Sequence, residues 1–332
     1  MVSRTGKLQD EKLIQPYPIS NVSFLRNDTK HIDADEPIFE TLAESKAEIQ
    51  KIVQRFGYVL KLSRIQNKLS DENFVGSMLN DICKLAFRDL NCMMRSAIGF
   101  RWIDLKLEEF KIETYKPDSA LSKLELGKYE KDEKKCSINL ELFTRIFLKP
   151  RERWQTSITE KQLAEFLEGI YSTMIHEGFH AVQNSILNHE GNIKNRVNTN
   201  NINNFIEGGA RFVEIIASSL ITAGKHTGSN SSNSLERTFL WHFAIEPVSS
   251  AVNDEADKIK DMLENFIPHN IGMFVFAVRY VANGSFISTL SEICKMAEER
   301  SISNEELYQM LYKDIENGNL AKLRQKIHTI IP

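Results

Sequence analysis

The sequence predicts an α+β fold, mostly helical, with one small sheet set between helical stretches. Three observations predict it. Apolar residues recur at helical spacing before residue 100 and again after residue 157. Two short runs between them alternate apolar and polar residues, as half-buried strands do. No stretch repeats with a fixed period, which argues against a solenoid or an array. The 332 residues suffice for one large domain or two ordinary ones. A hydrophobic content of 42% with 26% charged residues is that of a globular chain. The net charge of −3 offers no general attraction to nucleic acid or anionic lipid, so neither is expected as a partner.

Residues 1–35 are polar, hold Pro16 and Pro18, and read as an extended N-terminal arm. Residues 38–62 place Ile38, Leu42, Ile49, Ile52, Val53, Phe56 and Leu60 on one helical face. A second helix is expected after Ser70, an N-cap residue type, with Phe74, Met78, Leu79, Ile82, Leu85, Ala86, Leu90 and Met93 turned inward. In "RWIDLKLEEFKIETY" Ile103, Leu105 and Leu107 alternate with polar residues, so a strand is expected there. The charged stretch "GKYEKDEKK" reads as a solvated turn, and "CSINLEL", with Ile138, Leu140 and Leu142 on one side, as a second strand. Ser157 and Glu160 have the spacing of a capping box and would open a helix running to about Leu187. The asparagine-rich residues 189–203 form a loop, 204–223 a helix and "GKHTGSNSSNS" a flexible connection. The rest of the chain is helical. The expected organisation is an arm over 1–35, an α+β subdomain over 36–190 and a helical subdomain over 191–332.

Cys83, Cys92, Cys136 and Cys294 form no CxxC pair and read as buried reduced thiols. The first twenty residues lack the apolar core of a signal peptide, and no run of about 18 apolar residues exists. The expectation is a cytoplasmic protein, with signal-less export left open. Oligomeric state is not readable.

The chemistry concentrates in "TMIHEGFHAVQN", residues 173–184. Two histidines four apart on a helix project from nearly the same face, so His176 and His180 can address one ion. The glutamate between them, Glu177, can reach a water on that ion and act as general base. Neutral imidazole nitrogens suit zinc, which lowers the pKa of a bound water to about 7. A catalytic zinc takes three protein ligands and keeps one position open. No histidine follows at the spacing of the metzincins, because Gln183 and Ile186 occupy the relevant positions. The candidate third ligand is Glu207 in "NNFIEGGARFVEIIA". Glu214 lies two turns on along the same face, and two glycines beside Glu207 allow another helix to approach closely.

This combination resembles the gluzincin metallopeptidases, the broad group that contains thermolysin and the aminopeptidase N branch. In that branch the ligand glutamate opens E-G-x-x-x-[YF]-x-E, which here stands as Glu207, Gly208, Phe212 and Glu214. The resemblance covers roughly residues 100–315. It implies a zincin-like fold, one zinc ion held by His176, His180 and Glu207, and Glu214 orienting a histidine. The branch's Pro-Tyr-x-x-Gly segment matches at Pro268 and Gly272 with His269 in place of the tyrosine. The resemblance therefore implies His269 as oxyanion donor, with Tyr280 and His242 as alternatives. It also implies that "CSINLEL" is the edge strand along which a peptide adds. The exopeptidase signature Gly-x-Met-Glu-Asn is absent, "GSMLN" at 76–80 lacking its glutamate, so an endopeptidase is expected. Arg211 stands where thermolysin has an aspartate, and it can pair with Glu207, with Glu214 or with a substrate carboxylate. The implied partner is a peptide or protein substrate. The alternative is a catalytically silent zinc-binding regulatory or interaction protein on the same scaffold. The arm, through "LIQPYPISNVSF", is apolar enough to occupy a cleft and inhibit.

Overall fold

The fold is given by a computed structural model, which describes residues 35–56, 71–99, 102–115, 125–148, 158–188, 202–227, 239–240 and 268–329. Residues 1–34 of the arm, Ser157, residues 189–201 of the asparagine-rich loop and His242 lie outside the described residues.

Two helices come first: α1 (Glu36–Phe56) and α2 (Glu72–Ile98). The N-cap of α2 is Asp71 rather than Ser70; its carboxylate accepts from the Asn73 and Phe74 amides, a stronger acceptor than a hydroxyl. The inward face of α2 is the expected one, with Met78, Leu79, Ile82, Ala86, Leu90 and Met93 buried. Then come β1 (Lys111–Thr114), β2 (Gly127–Glu130), β3 (Lys135–Ile138) and the short helix α3 (Leu140–Phe147). The remaining helices are α4 (Glu160–Asn188), α5 (Asn203–Thr227), α6 (Pro268–Asn283), α7 (Phe286–Glu299), α8 (Asn304–Glu316) and α9 (Asn319–His328). The described chain is thus mostly helical with a three-stranded sheet, an α+β arrangement.

The sheet is built from different residues than expected. Residues 102–106 are irregular, Leu107–Glu109 form a single 3-10 turn, and the strand starts only at Lys111. "CSINLEL" is not one strand. It pairs only to Ile138, and Asn139 then caps α3 by accepting from the Leu142 amide. Leu140, Phe143 and Phe147 have helical spacing, and the Phe143 and Phe147 rings stack against Gly169 of α4. "GKYE", read as part of a solvated turn, is β2. The order is β1-β3-β2, with β3 parallel to β1 and antiparallel to β2. β3 is therefore central, and β2 is an edge. Lys135 on β3 bridges Glu113 of β1 at 2.9 Å and Glu130 of β2 at 3.2 Å, so the charges that suggested a turn form a cross-strand ladder.

The cap of α4 also sits later than expected. Thr159 Oγ1 accepts from the Gln162 amide, while the Thr159 amide donates to Gln162 Oε1, a reciprocal box two residues beyond Ser157. Helix α5 runs through Thr227, absorbing the first residues of the expected connection. The buried apolar residues form one cluster, from Ile49 on α1 to Ile327 on α9. Its tightest crossing is α5 on α6. A Cβ on Gly208 or Gly272 would collide with the other helix's backbone, so the two main chains touch. Asp35 ties the start of α1 to α7, accepting from Ser285 Oγ at 2.8 Å and from the Phe286 and Ile287 amides at 3.0 Å. Among the described residues no cysteine forms a disulfide, and no helix is long and apolar enough to cross a membrane.

Candidate metal centre

Helix α4 is buried on most of its circumference, because α2, α5 and the sheet all pack on it. Gly178 faces α2, where Leu90 leaves no room for a larger residue. The opposite face carries Thr173, His176, Glu177 and His180 into a cleft of about 780 Å³. The far wall of the cleft is the first turns of α5, with Ile206, Glu207, Arg211 and Glu214. Its rim is β2, with Gly127, Lys128 and Tyr129.

The three expected ligands converge. His176 Nε2 and His180 Nε2 each lie 3.6 Å from the same oxygen, Glu207 Oε2. One ligand atom from each residue falls within 4.8 Å of the others. A separation of 3.6 Å is too long for a hydrogen bond. It is the spacing of atoms sharing an ion, since donors about 2.0–2.2 Å from one centre at tetrahedral angles stand roughly 3.3–3.6 Å apart. The second nitrogens of both rings are engaged elsewhere. His176 Nδ1 meets Glu214 Oε2 at 3.0 Å, and His180 Nδ1 meets Gln183 Oε1 at 3.1 Å. That arrangement leaves each Nε2 to address Glu207. The residues present fit a divalent cation, and His176, His180 and Glu207 can hold one.

Without an ion in the site, the charges pair with one another, and a metal would have to displace the His176 proton. Burial disfavours a charge on His176, but the Glu207 and Glu214 carboxylates outweigh it and hold the ring protonated up to about 10. Burial likewise opposes ionisation of Glu214, yet the Arg211 and His176 cations pull its pKa down to about 2. Arg211 donates to Glu214 Oε1 at 2.7 Å, which answers where its guanidinium goes. Glu177 is the reverse case. Burial raises its pKa above that of an ordinary carboxylate, against the pull of both histidines. Its carboxylate is covered by β2: a Cβ on Gly127 would stand 2.9 Å from Glu177 Oε1 and collide with Thr173.

The other expected site residues divide. His269 sits in the first turn of α6, and its side chain lies outside the described residues. Tyr280 is buried in an aromatic cluster, stacked on Phe286 at 4.3 Å and edge-on to Phe239; among the described residues it is no part of the cleft wall. Sequence reasoning missed Gln183 and Gly127. Gln183 was legible in its spacing, three residues beyond His180 and seven beyond His176 on one face. Gly127 carried no signal, because its role depends on a strand that the charges concealed. No family model, curated protein or solved structure matches the chain.

Proposed function

We propose that this chain is a zinc-dependent metallopeptidase of gluzincin type, acting as an endopeptidase. The observation that carries the reading is the convergence of two imidazole Nε2 atoms and one carboxylate oxygen beside a buried glutamate in an open cleft. Zinc held by His176, His180 and Glu207 would polarise the scissile carbonyl and acidify the attacking water. Glu177 takes the proton from that water and delivers it to the departing amine. Its raised pKa suits it to both halves of this exchange, because a base too acidic to hold the proton cannot hand it on. Gly127 brings the β2 main chain against Glu177, so a peptide added to the β2 edge would pass the general base. His269 is proposed as oxyanion donor: the turn of α6 that follows it touches Gly208, the neighbour of Glu207. Arg211, Glu214 and Gln183 hold the two rings in place.

The test is Glu177→Gln. Zinc content should stay at one per chain while cleavage of a peptide library falls at least 10³-fold. Zinc without cleavage by the wild type would instead mark a silent metal-binding protein, and undiminished hydrolysis by the variant would refute the mechanism.

A further inference from the structure

Resting on the reading of His176, His180 and Glu207 as metal ligands, the geometry assigns Gln183 as a positioning residue that locks the His180 ring in its metal-binding tautomer. The argument starts from the far end of the amide. Gln183 Nε2 lies 3.0 Å from the Ile206 carbonyl oxygen, and a carbonyl can only accept. The NH₂ of the amide must therefore face Ile206, which turns its oxygen to His180 Nδ1 at 3.1 Å. An amide oxygen also only accepts, so Nδ1 carries hydrogen. A neutral imidazole with its hydrogen on Nδ1 has its lone pair on Nε2, the atom that stands 3.6 Å from Glu207. The other tautomer would oppose two acceptors at 3.1 Å. Gln183 is only 2% exposed, so water does not relieve that clash.

Two further observations tie this residue to the site. Gly209 makes room for it: a Cβ there would stand 2.9 Å from Gln183 Nε2 and 3.3 Å from the Phe179 ring. The two glycines after Glu207 thus have separate reasons, Gly208 for α6 and Gly209 for the Gln183 amide. The carbonyl that Gln183 grips also belongs to the residue directly before Glu207. One neutral amide therefore fixes the ring of one ligand and the backbone of another, on two different helices. His176 is held differently, by the ionised Glu214.

The experiment uses the full chain, zinc alone as probe, and two variants. Gln183→Leu removes both hydrogen bonds; Gln183→Glu keeps the acceptor for Nδ1–H and loses the donor to Ile206. Competition against a chromophoric chelator should show zinc binding 10- to 100-fold weaker in Gln183→Leu and within about threefold of wild type in Gln183→Glu. Equal weakening in both would overturn the proposal, leaving Gln183 a tie between α4 and α5. Nitrogen-15 spectra of the histidines in the metal-free wild type should show His180 with its hydrogen on Nδ1, and hydrogen on Nε2 would overturn it regardless of how either variant folds. A wild type that binds no zinc would defeat the metal reading, and the tautomer spectrum would still decide this one.

Discussion

Tyr171 and His176 stand five residues apart on α4, and each reaches a carboxylate on a neighbouring helix, Asp89 fully buried and Glu214 half-buried. The Tyr171 hydroxyl donates to Asp89 on α2 at 2.6 Å, while His176 Nδ1 meets Glu214 on α5 at 3.0 Å. Around Asp89 the remaining partners close in. Ser45 of α1 donates to it, Arg88 donates to both, and the carboxylate is sealed from solvent. Burial raises the pKa of Asp89 in spite of these donors. Around Glu214 the network opens outward. It orients His176, whose far nitrogen stands near Glu207 at a distance no hydrogen bond spans. A buried acid surrounded by donors holds helices together. A half-buried acid that aims an imidazole at a third group beside a cleft is arranged differently. The two clusters share a helix and a chemical vocabulary, and what separates them is that one is enclosed between helices while the other lines a cleft.

The sharpest way to break this comparison is to remove one group from each side. Glu207→Gln should weaken zinc binding by more than the ~100-fold that losing an orienting partner costs. Its metal-free stability should fall by less than that of Asp89→Ala, because Glu207 is part-exposed and shares with Glu214 the task of holding the His176 ring protonated. Asp89→Ala should do the opposite. It strands the Tyr171 and Ser45 hydroxyls, at about 2–4 kcal/mol by denaturant titration, with zinc affinity within threefold of wild type. If Asp89→Ala lost zinc as severely as Glu207→Gln, the clusters would be one network and the distinction would fail.

The same contrast explains what the sequence disclosed. His176, Glu177 and His180 were legible because one helical turn sets their relation, and no distant contact can undo it. Glu207 was legible through its glycines, since Glu-Gly-Gly on an apolar helix needs a packing reason and α6 supplies it. The sheet was misread for two physical reasons. Ile138, Leu140 and Leu142 satisfy a period of two, yet Leu140, Phe143 and Phe147 satisfy a helix equally, and Asn139, a capping residue, was the deciding signal. β2 was hidden because its charged residues Lys128 and Glu130 look like a turn until Lys135 is placed beside them. The Asp89 cluster was illegible for a different reason. Ser45, Arg88, Asp89 and Tyr171 come from three helices, and nothing in their local sequence announces the meeting.

Acid titration of the metal-free protein sharpens the comparison with the smallest effect. Glu214 has its pKa depressed from 4.5 to about 2, so the stability it contributes is present above 4.5 and is lost as pH falls toward 2. His176 has its pKa raised from 6.5 to about 10, so its contribution is complete below 6.5 and disappears as pH climbs through 10. Asp89 acts against Glu214 on the acid side: burial raises its pKa, and acidification relieves rather than damages the fold there. Replacing Glu214 by Gln should therefore flatten the acid limb between pH 4.5 and the lowest pH at which the chain stays folded, by roughly 2–3 kcal/mol. It should also shrink the alkaline loss, because His176 would keep only the Glu207 and Glu177 carboxylates near it. Asp89→Asn should leave the alkaline limb unchanged and make the acid limb steeper. Denaturant midpoints taken every half pH unit would read both limbs, and an acid limb in Glu214→Gln that tracks wild type would show that the depressed carboxylate is not what aims His176.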